Sequence, residues 1–224
     1  MLTRAALAAM IDHTILKPEA TADQVRTVAS EAVEYACASV CVNSSRVETV
    51  APIVSGSGVK LCTVIGFPLG ATITAAKVAE VHAAAAAGAD EFDMVLDVGR
   101  LLDGHTGYVL ADITAVTEAV RAASPGAILK VILESALLTP EQITLACELS
   151  RDAGADYVKT STGFHAAGGA SVGAIRTMAA AVPELGRKAS GGVRTLQDAL
   201  AMIEAGATRL GMSATPSVLA ALPR

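Results

Sequence analysis

The chain alternates short apolar runs with longer amphipathic segments from one end to the other. These strand-like runs hold four to eight residues, and most of them are rich in Val, Ile or Leu, as expected of strands that are buried on both faces in a parallel sheet. The pattern predicts eight strands: Ile11–Leu16, Ala38–Asn43, Val59–Gly66, Glu91–Val98, Ile128–Glu134, Ala155–Thr160, Arg187–Ser190 and Thr208–Met212.

The segments between these runs have helical periodicity, and several of them begin with Thr, Ser or Pro. The weakest is Ser45–Val54, which we expect Pro52 to shorten. The other predicted helices are Ala22–Ala36, Ala75–Ala87, Tyr108–Ala122, Pro140–Ala153, Val172–Ala181 and Thr195–Ala205.

Alternating strand and helix units of this size specify a parallel sheet. Three of the helix-to-strand junctions share the sequence Ala-Gly-Ala, at Ala87–Ala89, Ala153–Ala155 and Ala205–Ala207, where glycine serves as an ordinary helix cap. Eight strands with about seven helices predict a closed (β/α)8 TIM barrel, with residues 1–224 as a single domain. An open Rossmann-type sheet should show G-x-G-x-x-G after its first strand, and no such motif follows Ile11–Leu16.

Composition excludes several classes of function. Hydrophobic residues make up 52% of the chain and aromatic residues only 3%, so the predicted core is aliphatic. A net charge of -5 with scattered basic residues argues against nucleic acid as a partner. The apolar patch Ala5–Ile11 is bracketed too closely by Arg4 and Asp12 for a secretory signal, and no apolar run approaches the ~20 residues of a membrane span. We therefore expect a cytoplasmic protein that binds neither nucleic acid nor membrane.

The four cysteines lie in apolar patterns without C-x-x-C spacing, and the four histidines are far apart in sequence and form no H-E-x-x-H motif. We predict buried free thiols and no metal site. The cysteines are Cys37, Cys41, Cys62 and Cys147.

Lys159 lies near the end of the sixth predicted strand, where a buried ammonium is unfavourable unless it is paired or functional. It is either a structural lysine or an amine nucleophile that forms a Schiff base with a carbonyl. Lys188 lies on the next predicted strand, and paired strands are about 4.8 Å apart, so two inward ammonium groups would repel each other and lower the pKa of one of them. The alternative for Lys188 is a solvated lysine beside Arg187.

The fourth predicted strand carries Glu91, Asp93 and Asp97 on one face, an unusual position for carboxylates. Asp93 is either an ion-pair partner of the interior lysines or a general acid/base that moves protons through water. Asp12 and Lys130 resemble a second interior pair, which we interpret as supporting electrostatics.

Loops rich in glycine and serine follow the last three predicted strands. TIM barrels commonly bind phosphate through backbone N–H groups in the loops after strands seven and eight. The alternative is that these are ordinary turn glycines. The loops are Ser161–Gly163, Ser190–Val193 and Gly211–Ser213.

Four long motifs resemble those of the deoxyribose-phosphate aldolase family and occur in that family's order. The resemblance extends from about Ile11 to Ser213, which is nearly the whole chain. The motifs are IDHTILKP at 11–18, CTVIGFPLGA at 62–71, DYVKTSTGF at 156–164 and KASGGVRT at 188–195.

The resemblance implies a class I aldolase that needs no metal or other cofactor. By that resemblance Lys159 forms the Schiff base, Lys188 tunes it, and Asp93 belongs to a proton relay. Cys41 matches a family position near the aldehyde pocket, where we expect no catalytic role. The resemblance places the substrate 5-phosphate near Gly163, Gly191, Gly192, Gly211 and Ser213.

Two features depart from the family pattern. Ala214 follows Ser213 where relatives often have a second hydroxyl residue, which puts one phosphate hydrogen bond in doubt. The tail Leu219–Arg224 lacks the terminal tyrosine that some members use for proton transfer, so water held by Asp93 would have to carry these protons.

The reaction implied is the reversible cleavage of 2-deoxy-D-ribose 5-phosphate to acetaldehyde and D-glyceraldehyde 3-phosphate. The expected partners are small-molecule phosphosugar and aldehyde substrates, with a homodimer as an open alternative. Two rival functions remain open. One is a phosphate-sugar isomerase on the same barrel, with a carboxylate base and no lysine adduct, and the other is a sugar-phosphate-binding protein without turnover.

Overall fold

The computed structural model describes residues 2–123 and 125–222 and folds them into a closed barrel of eight parallel strands. Each strand pairs with its neighbours in chain order, and the last strand pairs with the first. The prediction of a (β/α)8 TIM barrel is confirmed. The strands are β1 (Ile11–Ile15), β2 (Ser39–Val42), β3 (Lys60–Ile65), β4 (Glu91–Val95), β5 (Ile128–Ile132), β6 (Tyr157–Lys159), β7 (Gly186–Ser190) and β8 (Arg209–Met212).

Helices surround the barrel, and threonine N-caps explain where several of them begin. Thr21, Thr139 and Thr195 each accept a hydrogen bond from the backbone of the first helical turn, in a capping box with Gln or Asp. The helices are α1 (Arg4–Ala8), α2 (Ala22–Glu34), α3 (Val47–Val54), α4 (Thr74–Ala86), α5 (Val98–Leu102), α6 (Thr106–Ala123), α7 (Pro140–Asp152), α8 (Val172–Ala181), α9 (Leu196–Glu204) and α10 (Thr215–Ala220), with 3-10 turns at Ser44–Arg46 and Ser135–Leu137.

The expectation that Pro52 shortens its helix is wrong, because α3 runs through Pro52 to Val54. Val47, Val50 and Val54 are buried along one stripe of this helix. Their burial outweighs the single backbone hydrogen bond that proline cannot donate.

Strand β4 ends at Val95, two residues before Asp97, so Asp97 does not share the interior face of the strand as we expected. Its side chain accepts a hydrogen bond from Arg100 N and caps α5. The short helices α1, α5 and α10 escaped the sequence analysis because five or six residues are too few to show a helical period.

The barrel separates an aliphatic shell from a charged interior. Phe92 and Met94 of β4 point outward and pack in the main hydrophobic core beneath the helices. Glu91 and Asp93 of the same strand point inward and meet lysines from other strands. Alternation along the strands therefore places the chemistry-bearing side chains inside the barrel, where TIM barrels open their sites at the C-terminal ends of the strands.

None of the helices within the described residues combines the length and the apolarity that crossing a membrane requires. The assignment of the whole chain 1–224 to one domain stays a prediction, because Met1, Ser124, Pro223 and Arg224 lie outside the residues that the structure describes. Part of the C-terminal tail that lacks a tyrosine falls among these residues.

Candidate active site

Three buried lysines on consecutive strands meet one carboxylate. Lys159 and Lys188 are register partners on β6 and β7, and Lys130 is the register partner of Asp93 on β5 and β4. Lys159 Nζ lies 2.8 Å and Lys188 Nζ 2.7 Å from Asp93 Oδ2, while Lys130 Nζ lies 2.8 Å from Asp93 Oδ1. All four side chains are almost wholly buried. The structure thus brings together the three residues to which the sequence assigned catalysis, and Lys130 with them.

Asp93 is held in its ionised form. Burial alone would raise the pKa of its carboxyl group, but the charges of Lys130, Lys159 and Lys188 outweigh burial and keep the pKa well below its usual range. Cys62 Sγ also donates a hydrogen bond to Asp93 Oδ1 at 3.2 Å. Asp93 is therefore a carboxylate at neutral pH, with both oxygens accepting from strong donors.

Lys188 does not carry the lowered pKa that simple repulsion between two lysines would give it. Burial lowers the pKa of its ammonium, but the carboxylates of Asp12 and Asp93 outweigh burial and raise the pKa above its usual value. Asp93 stands between the two lysines, and Asp12 contacts Lys188 as well. The alternative of a solvated Lys188 is wrong, since only 1% of its surface is exposed.

Asp12 and Lys130 form a weaker pair than the sequence suggested. Their nearest oxygen and nitrogen atoms are 3.7 Å apart, whereas Lys130 Nζ lies 2.7 Å from Glu91 Oε2. Closure of the barrel pairs β1 with β8, so Asp12 lies beside Lys188 and accepts a hydrogen bond from Arg209 Nη1 at 2.9 Å. Burial raises and the nearby cations lower the pKa of Asp12, and the cations prevail.

Arg209 belongs to this interior network, and the sequence analysis missed it. The guanidinium also lies 3.4 Å from Glu91 Oε1, and it stacks over the ring of Tyr157. The period of two along β8 could have revealed it, because Arg209 shares a face with Gly211.

A cavity of about 760 Å³ opens at the C-terminal end of the barrel, with Lys159 in its wall. All five residues predicted to bind phosphate line this cavity. Within residues 2–123 and 125–222, the N–H groups of Gly163, Gly191, Gly192 and Ser213 donate a hydrogen bond to no protein acceptor. The four residues line the same cavity, as backbone recognition of an anion requires.

Glycine serves two different needs in this cavity. Gly163, Gly191 and Gly192 have φ angles of 82°, 82° and 93°, a region that residues with a Cβ rarely adopt. Gly211 instead leaves room for Lys188, because a Cβ at this position would lie 3.0 Å from Lys188 Cε. The absence of a side chain at Gly211 thus shapes the lysine cluster as well as the cavity.

Strands β6 and β7 are tied together just beyond the two lysines. Thr160 Oγ1 donates to Ser190 O and accepts from Ser190 N, each at 3.0 Å, and Ser190 Oγ donates to Ser161 O at 2.6 Å. These bonds fix the strand ends that carry Lys159 and Lys188. The sequence analysis placed Ser161 in a loop and Ser190 where a strand passes into a loop, and it gave neither residue this role.

The four cysteines are free and buried, as predicted. Cys41 and Cys62 are register partners on β2 and β3, and with Asp93 they bring three potential metal ligands within 4.8 Å of one another. Lys130 Nζ, however, lies 3.4 Å from Cys62 Sγ and contacts Asp93 too, so an ammonium already serves two of the three groups. The absence of a metal from the reaction stays a prediction.

Comparisons with known proteins agree on one family. A family model described as DeoC/LacD family aldolase matches residues 6–215. The chain is 56% identical over 224 residues to a deoxyribose-phosphate aldolase of Kocuria rhizophila, covering 99% of each chain. It is 53% identical to a deoxyribose-phosphate aldolase of Clostridium perfringens, covering 95% of this chain and 93% of the relative.

A solved structure gives the same answer for the fold. The deoxyribose phosphate aldolase of Aeropyrum pernix, described as a unique tetramer, superposes with a TM-score of 0.90 at 35% identity. The match covers 97% of this chain and 91% of that one.

Proposed function

The chain belongs to the DeoC/LacD family of aldolases, and on that premise we propose that it reversibly cleaves 2-deoxy-D-ribose 5-phosphate to acetaldehyde and D-glyceraldehyde 3-phosphate through a Schiff base on Lys159. The relatives that carry this activity in their names match the chain over nearly its full length. The family supports the aldolase class, and the geometry of the barrel interior supports the roles proposed for individual residues.

The proposal rests on one observation: the three lysines contact different numbers of carboxylates. Lys130 contacts Asp12, Glu91 and Asp93, and Lys188 contacts Asp12 and Asp93. Lys159 contacts Asp93 alone among the described carboxylates, and it is the lysine of the three that lines the cavity. An amine nucleophile needs access to substrate, and Lys159 combines that access with the fewest carboxylate partners of the three lysines.

The proposed reaction uses this amine as a covalent catalyst. The Nζ atom of Lys159 attacks the aldehyde carbon of the open-chain sugar, and loss of water gives a protonated imine. Deprotonation of the C3 hydroxyl breaks the C2–C3 bond and sends its electrons into the imine, which leaves an enamine and releases D-glyceraldehyde 3-phosphate. Protonation and hydrolysis of the enamine then release acetaldehyde and restore Lys159.

Asp93 serves the same reaction in two ways that are compatible. Its carboxylate lies 2.8 Å from Lys159 Nζ, so it pairs with the ammonium in the resting enzyme. In the same place it can orient the water that carries protons between Lys159 and the substrate hydroxyl. Asp12 and Lys130 supply supporting electrostatics, since Asp12 holds Lys188 and Lys130 holds the second oxygen of Asp93.

The 5-phosphate is proposed to bind the free N–H groups of the loops after β6, β7 and β8. These donors belong to Gly163, Gly191, Gly192 and Ser213, and their charge-assisted hydrogen bonds suit a phosphate dianion. Gly211 supports the same pocket from the end of β8. In this proposal the phosphate is recognised by backbone N–H groups, which is why glycine is suitable at these loop positions.

One product assay tests the proposal. Purified protein is incubated with 2-deoxy-D-ribose 5-phosphate, and acetaldehyde is followed through its reduction by a coupled alcohol dehydrogenase. Borohydride added with acetaldehyde should attach an ethyl group to Lys159, as read by peptide mass mapping. An isomerase would release no acetaldehyde, and a binding protein would turn nothing over, so either outcome would overturn the proposal.

The finer statements about partners and location stay predictions. Small-molecule phosphosugar and aldehyde substrates follow from the proposed reaction, and no nucleic acid or membrane partner is expected. A homodimer remains an alternative that solution sizing can decide, and a tetramer is described for the relative from Aeropyrum pernix. A cytoplasmic location is likewise proposed.

A further inference from the structure

Glu134 is a buried carboxylate to which the reaction above gives no role. It follows β5 and adopts φ 54° and ψ 54°, the left-handed conformation that residues other than glycine rarely take. Among the described residues only Ala36 shares a positive φ without being glycine. Only 4% of the Glu134 surface is exposed. On either side of Glu134, Leu133 N donates to Lys159 O and Ser135 N donates to Thr160 O. Unusual conformations of this kind persist only where neighbouring contacts fix them.

The carboxylate of Glu134 accepts three contacts from one residue of the loop after β6. Thr162 N lies 3.3 Å from Oε1 and 3.4 Å from Oε2, and Thr162 Oγ1 donates to Oε2 at 2.5 Å. Because the hydroxyl hydrogen of Thr162 points to Glu134, its lone pairs remain for Phe164 N, which donates to Oγ1 at 3.1 Å. A chain of hydrogen bonds therefore runs from Glu134 through Thr162 to Phe164.

This chain fixes the loop on both sides of Gly163. Thr162 turns its N–H and its hydroxyl inward to Glu134, which leaves the N–H of Gly163 as the free donor at the cavity. Beyond Gly163, Phe164 packs edge to face against Phe67 of the loop after β3, with ring centroids 5.2 Å apart. The Glu134 carboxylate does not line the cavity, whereas Thr162, Gly163 and Phe164 do.

We propose that Glu134 is a positioning residue for phosphate recognition: it acts through Thr162 to aim the Gly163 N–H at the substrate phosphate. This inference rests on the function proposed above. Glu134 lies behind Thr162, so its negative charge is separated from the phosphate, and its effect is carried by the orientation of Thr162. A merely structural residue would weaken the fold without distinguishing phosphorylated from unphosphorylated sugar.

The test compares Glu134→Gln with wild type on two substrates, 2-deoxy-D-ribose 5-phosphate and 2-deoxy-D-ribose. Glutamine keeps the size of the side chain, but it has only one oxygen in place of the two that accept from Thr162. We expect KM for the phosphorylated sugar to rise about tenfold, equal to about 1.4 kcal/mol, with little change in kcat/KM for the unphosphorylated sugar. Trapping of acetaldehyde on Lys159 should be retained. Glu118→Gln, the same change on the exposed face of α6, is the matched control and should match wild type.

A double-mutant cycle tests whether Glu134 acts through Thr162. Thr162→Val removes the hydroxyl, and in that background Glu134→Gln should raise KM far less than it does in wild type. Thr162→Ser keeps the hydroxyl and should reverse most of the rise in KM seen in Thr162→Val. Additive effects of the two changes would overturn the proposal.

Backbone strain is separated from the carboxylate by Glu134→Gly, which favours the left-handed conformation and lacks the acceptor. The proposal expects the same rise in KM as for glutamine, and a wild-type KM in this variant would overturn it. If Glu134→Gln fails to fold, Glu134→Gly and Thr162→Val decide the same question.

Failure of the inference and failure of the proposed function give different results. Equal losses on both sugars in Glu134→Gln, with an active wild type, would overturn only the positioning role. A wild type that releases no acetaldehyde would overturn the proposed function itself.

Discussion

Two buried lysines in this molecule have carboxylate partners at almost the same distance but in different surroundings. Lys77 lies between α4 and α6, wholly buried, with its Nζ 2.6 Å from Asp112 Oδ2 and 3.0 Å from Val95 O. Lys159 lies inside the barrel with its Nζ 2.8 Å from Asp93 Oδ2. Burial and a carboxylate are therefore common to both sites.

The difference lies in how each carboxylate is shared. Asp112 pairs with Lys77 through Oδ2, and its Oδ1 accepts a hydrogen bond from the neutral hydroxyl of Thr74 at 2.7 Å. Lys77 and Asp112 therefore form a closed pair, in which one carboxylate faces one ammonium. Asp93 instead serves three lysines with two oxygens, and Lys159 lines a cavity. An under-compensated ammonium with access to a cavity, rather than burial alone, therefore marks the candidate nucleophile.

The largest effect should come from removing the amine. Lys159→Met should lower turnover of 2-deoxy-D-ribose 5-phosphate by roughly 10⁴-fold or more, the scale on which loss of a covalent nucleophile acts. Lys77→Met should leave the borohydride adduct on Lys159 intact. Peptide mass mapping of both variants checks this, and an ethyl label on Lys77 would reverse the assignment.

Asp93→Asn should retain the fold and lose about 10²–10⁴-fold in turnover, because a positioned acid/base contributes that much. Asparagine keeps an oxygen that can accept a hydrogen bond but removes the charge that three lysines share. Circular dichroism first shows that the variant is folded, and its turnover is then measured. A near-normal rate would reduce Asp93 to an ion-pair partner, as Asp112 is for Lys77.

The closed pair should matter for stability rather than for chemistry. Lys77→Met leaves Asp112 buried without its ammonium and should cost about 3–5 kcal/mol in the free energy of unfolding. Replacing both partners, as in Lys77→Met with Asp112→Leu, should restore much of this loss, since an apolar pair removes the unpaired charge. Urea unfolding measures both variants, and equal losses in the single and double variants would contradict this account.

Acid should weaken the barrel cluster in a defined direction. The pKa values of Asp12 and Asp93 are lowered in the folded protein, so their ionised forms stabilise it above the unfolded-chain value near ~3.9, and this stabilisation is lost as pH falls. Below that value the free energy of unfolding should fall by about 1.4 kcal/mol per pH unit for each carboxyl. In Asp12→Asn the free energy of unfolding, measured by urea titration, should fall less steeply below the unfolded-chain pKa of about 3.9. An unchanged slope would show that Asp12 does not contribute.

The smallest expected effect concerns Lys188. Its ammonium shares Asp93 Oδ2 with Lys159, so Lys188→Met leaves that oxygen to Lys159 and makes the Lys159 ammonium harder to deprotonate. The acidic limb of the rate profile should move up by roughly one pH unit, and Lys188→Arg should move it much less because the charge is kept. A limb that stays in place in Lys188→Met would show that Lys188 does not tune the nucleophile.

Sequence reasoning reached the barrel because its signals are local. Apolar runs of strand length, helix start signals such as Thr139-Pro140 and the order of the four motifs lie in short stretches of chain. The same reasoning singled out Lys159, Lys188 and Asp93, which the structure brings within hydrogen-bond distance of one another. It erred where a local rule met packing, as at Pro52, whose helix is held by the buried valines around it.

Local sequence is enough to predict the alternation of strands and helices, the aliphatic shell and the lysines available for chemistry, because hydrophobic period and residue type are properties of neighbouring positions. The tertiary structure alone fixes which carboxylate each lysine meets, since closure of the barrel pairs β1 with β8 and places Asp12 beside Lys188 and Arg209. It also decided that Asp97 caps a helix and that Glu134 holds Thr162. These contacts join residues far apart in the chain, and their free energies depend on distances and burial that no local pattern contains.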